Sequence, residues 1–185
     1  MKKINLILFL MLVLAGCKGE TPIDDLPLVK YEIQVSKIAV GMNAIVRKDD
    51  IFQIFYTEDG SLNFSGEKTL RVNVKGSKEP QDIVFELPER IKLTNIRIDT
   101  GENKAQGEII IKRFWVNNFD KQFEVKGNSF FSYFTLGPDM KVSMENSSIT
   151  TIVKDDTVYD PMLYPDPKLT AELKKLLKQE QVDEL

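Results

Sequence analysis

The chain has 185 residues, of which 42% are hydrophobic and 29% charged. That length and balance suit one domain with its own core and exclude a wholly disordered chain. The formal net charge is −3, and there is no histidine and one cysteine, Cys17. These counts exclude Ser-His and Cys-His catalysis, His-ligated zinc, a thiolate metal cluster and any internal disulfide.

The first residues are MKKINLILFLMLVLAGC. Lys2 and Lys3 precede an apolar run from Ile4 to Leu14, and small Ala15 and Gly16 lead to Cys17. This is the grammar of a secretory signal, and the run is too short for a bilayer span of about 20 residues. Leu14-Ala15-Gly16-Cys17 resembles the lipobox of bacterial lipoproteins. The resemblance implies that residues 1–16 are removed and that Cys17 is lipidated. It also implies an envelope location, with Lys18 favouring the outer over the inner membrane. Each buried lipid methylene contributes about 0.8 kcal/mol, so two or three acyl chains anchor durably. Without Lys2 and Lys3 the mature chain holds 23 basic against 28 acidic residues, a net −5. An acidic domain is a poor match for nucleic acid, which binds through Lys and Arg. Residues 17–30, with Gly19, Pro22, Asp24, Asp25 and Pro27, read as a tether.

From Tyr31 the period is two. Tyr31–Ile38 alternates apolar and polar residues, as on a half-buried strand. Ile51–Tyr56 is apolar on both faces and reads as an interior strand. Leu70, Val72 and Val74 alternate with polar residues, as do Ile96 and Ile98 with Arg97 and Asp99. Residues 83–87 and 109–116 predict further strands. Asp59-Gly60, Ser65-Gly66, Gly76, Pro88, Gly101–Gly107, Asn117-Asn118, Gly127-Asn128 and Gly137-Pro138 are turn signals. Many short strands at this spacing predict an all-β fold for residues 31–154: an antiparallel, jelly-roll-like β-sandwich of roughly 8–10 strands. Residues 155–185 read as a loop rich in Asp, Pro and Tyr, then a short C-terminal α-helix. Asp166 is the expected cap, Pro167 the first helical residue, and Leu169, Leu173, Leu176 and Leu177 one apolar face. That face is expected to pack on the sandwich; the alternative is a free helix that docks elsewhere.

Ile51-Phe52-Gln53-Ile54-Phe55-Tyr56, Val74-Lys75-Gly76-Ser77, Val84-Phe85-Glu86-Leu87-Pro88 and Ile96-Arg97-Ile98-Asp99 with Gly101 resemble a known module. It is the carbohydrate-binding-like β-sandwich accessory domain of bacterial membrane glycosyltransferases and cell-surface polysaccharide proteins. The resemblance implies a sandwich associated with glycans. With no transmembrane bundle and no nucleotide-sugar motif, the relatives' synthesis is not carried over, nor is any binding residue.

Two residue groups are candidate ligand sites. Phe114 and Trp115 point to opposite faces of one strand. If Phe114 joins the core with Ile110, Trp115 faces outward with Asn117, a ring and an amide suited to sugar; the alternative is a core tryptophan. Arg97 and Asp99 share a face and form either a polar recognition spot or a solvated ion pair. Acids at Asp49, Asp50, Asp155, Asp156, Asp160 and Asp166 could in principle serve a glycosidase or calcium, but no EF-hand spacing is present and solvated turns fit them better. No cofactor or metal is expected. The functional reading is a non-catalytic module on a lipid anchor, with glycan or an envelope protein as partner. The alternatives are an interaction subunit without a sugar site and a carboxylate-dependent glycan-active enzyme.

Overall fold

The computed structural model describes residues 37–153 and 159–178. The leader, the tether with Cys17, residues 31–36 of the first expected strand, and Asp155 and Asp156 lie outside the described residues.

Period-two alternation produces β1 (Ile38–Ile45), β2 (Asp50–Thr57), β3 (Thr69–Val74), β4 (Gln81–Glu86), β5 (Asn95–Asp99) and β6 (Glu108–Asn118). Next come β7 (Lys121–Lys126), a 3-10 turn over Gly127–Ser132, β8 (Phe134–Leu136), β9 (Met140–Ser143), β10 (Ser148–Thr151), β11 (Met162–Pro165) and α1 (Pro167–Leu176). Sheet A runs β4-β1-β6-β10-β9, with β7 also paired to β6, and sheet B runs β3-β2-β5-β11-β8. All strand pairs are antiparallel. The all-β sandwich with a short terminal helix is therefore present, with eleven strands among the described residues where eight to ten were expected.

The two inner faces make one core. Sheet A contributes Val40, Met42, Ile83, Phe85, Ile111 and Phe114, and sheet B contributes Phe52, Ile54, Ile96, Ile98 and Leu163. Phe114 meets Phe130 and Phe134 edge-on, at centroid distances of 5.8 and 5.2 Å, the arrangement favoured by ring quadrupoles.

Strands β7 to β10 were not placed from the sequence, and three further differences have physical causes. The first described strand begins at Ile38, where the expected one ended, and runs to Ile45 through Gly41 and Asn43, residues with poor strand propensity. Ile38, Val40, Met42 and Ala44 carry it because they alternate into the core. On β6, Asn43 pairs with Arg113 while Ala44 pairs with Ile111, so Lys112 is an extra residue in a β-bulge. The bulge shifts the period: Phe114 shares the core with Ile109 and Ile111, and Ile110 is not its partner there. The stretch expected as loop contains β11, whose Leu163 is fully buried between β5 and β8.

Helix α1 begins as its residues require. The Asp166 carboxylate accepts from the Lys168 amide at 2.9 Å, with Pro167 following the cap. Leu169, Leu173 and Leu176 are buried, and the helix lies against β7 of sheet A and β5 and β11 of sheet B, closing one end of the sandwich. The Thr170 hydroxyl donates to Asn95 Oδ1 at 2.6 Å.

Candidate functional site

The candidate residues lie on opposite outer faces, Trp115 and Asn117 on β6 of sheet A and Arg97 and Asp99 on β5 of sheet B, so the fold does not bring them together.

Trp115 points outward, as expected from Phe114 pointing inward, yet it is only 6% exposed. Its cross-strand neighbour is Gly41, and the indole occupies the space where a Cβ of that residue would stand. The Arg113 guanidinium lies over the ring at 4.2 Å and is paired with Glu124 and Asp82. Asn43 donates to Asp82 at 2.6 Å, and Lys126 pairs with Glu124 at 3.0 Å. Hydrogen bonding from Lys126 holds the Glu124 carboxyl below its usual range. The indole is thus sealed under a polar lattice. The open sugar platform expected at Trp115 and Asn117 is not formed, because a glycine on β1 lets the ring sink onto the sheet. Asn117 is half-buried on the same face, with its Oδ1 buried and unpartnered among the described residues.

Sheet B presents a different outer face. Ile96 and Ile98 face the core, so Arg97 and Asp99 project outward on β5. Arg97 Nε and Nη2 donate to Asp99 Oδ1 and Oδ2, both at 2.9 Å. This bidentate pair matches a planar guanidinium to a carboxylate. The two side chains are only 16% and 15% exposed, so the pair is neither the solvated ion pair offered as one expectation nor fully buried. Burial pushes the Asp99 carboxyl up, and Arg97 only partly opposes this.

What covers the pair is aromatic. The Arg97 guanidinium stands 3.9 Å from the Phe55 ring centroid, 5.7 Å from Phe64 and 5.9 Å from Tyr164. Phe55 lies directly across from Arg97 on β2, and Tyr164 projects from β11. Phe64 comes from the β2–β3 loop, where the Thr57 hydroxyl bonds Ser61 O at 2.9 Å and Asn95 bonds the carbonyls of Gly60 and Ser61. All three rings are half-buried, so part of each remains at the surface. Beside them Gln53 donates to the Thr69 hydroxyl at 2.7 Å and accepts from Arg71 at 3.4 Å, while Arg71 pairs with Glu102 at 2.5 Å. The result is a sheet face of rings and fixed polar groups. Sequence reading missed Phe55, Phe64 and Tyr164. The signal for Phe55 was present in the doubly apolar run Ile51–Tyr56, which leaves Ile51, Gln53 and Phe55 facing outward.

Of the carboxylates that suggested hydrolysis or calcium, Asp49 and Asp50 have structural partners, as Asp166 has in the helix cap. Asp50 is 7% exposed. Its Oδ1 accepts from the amides of Ile51, Glu102 and Asn103, and its Oδ2 accepts from Gln106 Nε2 at 2.8 Å. Gly101, at φ +125°, passes so close to this carboxylate that a Cβ would collide with it. Asp50 thus clamps the 100–106 loop to β2. Asp49 accepts from the Gly76 amide at 2.8 Å and from Lys75 at 2.6 Å, and both hold its carboxyl below the usual range. Among the described residues no group of three or more metal-ligating side chains forms a cage, and no helix is long and apolar enough to cross a membrane.

No known family, curated protein or solved structure matches the chain.

Proposed function

We propose that this chain is a lipid-anchored envelope lipoprotein whose β-sandwich is a non-catalytic glycan-binding module. The observation that carries the binding half is the outer face of sheet B, where Arg97 is fixed by Asp99 among Phe55, Phe64 and Tyr164. Aromatic rings offer apolar faces to the C–H groups of a pyranose, and adjoining fixed donors and acceptors suit its hydroxyls. The resemblance of Ile51–Phe114 to glycan-associated accessory domains points the same way. A module without catalysis is supported by Asp50, whose carboxylate is occupied by four donors. The anchor rests on Leu14–Cys17.

A glycan array probed with the mature chain tests the binding half. Retention on a defined glycan set, lost in Phe55→Ala and Tyr164→Ala, is the expected result; equal retention by the variants would remove the face from consideration. Fatty-acid-analogue labelling of cells expressing the wild type and Cys17→Ser tests the anchor, and unchanged labelling of the variant would refute it.

A further inference from the structure

One end of the sheet B face opens into a groove of about 580 Å³. Its lining includes Ile51 and Asn73, which are directly paired on β2 and β3, and Lys75, Asp49, Glu102 and Asn103 from the surrounding loops. Ile51, Gln53 and Phe55 alternate outward on β2, so the groove and the aromatic patch lie on one line. Phe55 lies four residue steps along the strand from Ile51, about 13 Å at the usual rise. Glu102 joins the two parts, since it lines the groove and holds Arg71 beside Gln53.

The charges along this line are matched within the protein. Arg97 pairs with Asp99 at 2.9 Å, Arg71 with Glu102 at 2.5 Å, and Lys75 with Asp49 at 2.6 Å. Asp160 is close enough to Asp99 to help push its carboxyl up, which adds negative potential at that end. An anionic ligand would face the carboxylate already paired with each of these cations. A neutral polyhydroxylated ligand can bond to paired charges without displacing either member. The groove also holds a spare amide. The Asn73 side chain is exposed and has no hydrogen bond within the described residues, while Ile51 beside it is half-buried and supplies an apolar floor.

We propose that the groove and the aromatic patch form one continuous site along β2 that takes an uncharged oligosaccharide, with Phe55 and Tyr164 stacking one portion and Asn73 bonding the portion in the groove. This deepens the glycan-binding reading above and rests on it. A monosaccharide occupies only the patch, and a longer chain reaches Asn73.

Calorimetric titration of the full chain in detergent tests this with neutral gluco-, manno-, xylo- and galacto-oligosaccharides from monosaccharide to hexasaccharide, and with oligogalacturonate as the acidic probe. Affinity should climb with length for at least one neutral series and be at least about tenfold weaker for the acidic oligomer. Asn73→Ala, at an exposed and unbonded position, should leave folding intact. It should weaken the longest ligand about three- to tenfold, the loss of one hydrogen bond, and leave the shortest unchanged. Phe55→Ala should weaken both lengths. Equal affinity for short and long chains, or no effect of Asn73→Ala on the longest, overturns the groove while leaving the patch. Preference for oligogalacturonate overturns the uncharged ligand. If the wild type binds none of the saccharides, the glycan reading itself fails.

Discussion

Trp115→Ala should destabilise the domain by about 3 kcal/mol, at the lower end of the range for truncating a buried aromatic residue. The indole is 6% exposed, so nearly all of its surface is lost to packing. It also loses the Arg113 contact at 4.2 Å, worth about 0.5–2 kcal/mol for a cation over a ring. The figure stays low because the site lies at the sheet surface, where Arg113 can fold into the vacated space. Gly41 makes the reasoning testable in a second way. A Cβ there falls within the indole, so Gly41→Ala alone should cost about 1–3 kcal/mol by overpacking. In the Trp115→Ala background the same change should become neutral or favourable, since alanine is better than glycine within a strand. Urea denaturation of the wild type, both single variants and the double variant gives the coupling. A cost below about 1 kcal/mol for Trp115→Ala, or additivity of the two changes, would refute the picture of a sealed indole resting on Gly41.

Asp50→Ala strands four hydrogen-bond donors at the base of the 100–106 loop; each unsatisfied buried group costs about 1–3 kcal/mol, so a loss of 3 kcal/mol or more is expected in urea melts, and a loss under 1 kcal/mol would show the clamp to be dispensable. Phe119 sits at φ +54° in the β6–β7 turn and is 48% exposed; Phe119→Gly should relieve left-handed strain and raise stability by up to about 1 kcal/mol, and a lowered urea midpoint would show that the ring has packing worth more than the strain. The Asp99 carboxyl is raised above its ordinary value of 3.8 by burial. Its contribution to stability is therefore present below that value and lost as pH rises through the raised one. Wild type should lose stability relative to Asp99→Asn as pH increases from 3 to 7 in urea melts. A relative gain would mean that the Arg97 pair outweighs desolvation.

Strands β2 to β6 were legible because half-buried strands announce themselves by period, whereas β7 to β10 were not placed from the sequence. Ile96, Arg97, Ile98 and Asp99 alternate without interruption, and their faces follow from the sequence alone. The leucines of α1 likewise specify both the helix and its buried side, with Asp166 and Pro167 marking its start. Legibility fails where a neighbour in space overrides the local pattern. Gly41 weakens β1 by propensity, yet the strand runs through it because β4 and β6 flank it on both sides. Lys112 shifts the period of β6 through a bulge, a feature of pairing with β1 rather than of β6 itself. Four residues of β11 are too few to show a period, and their place between β5 and β8 makes them a strand.

The candidate site divides in the same way. The alternation of β5 determined that Arg97 and Asp99 share a face, and that of β2 determined that Gln53 and Phe55 do. Only the tertiary structure decided that Phe55, Phe64, Tyr164 and Arg97, drawn from three strands and a loop, converge at one spot. Only it decided that Trp115, outward by period, is closed off by Gly41 and Arg113. Period is a property of one strand and tells which side a residue takes. Exposure depends on which residues stand across the sheet, and strand order and register set that through contacts between segments far apart in the chain.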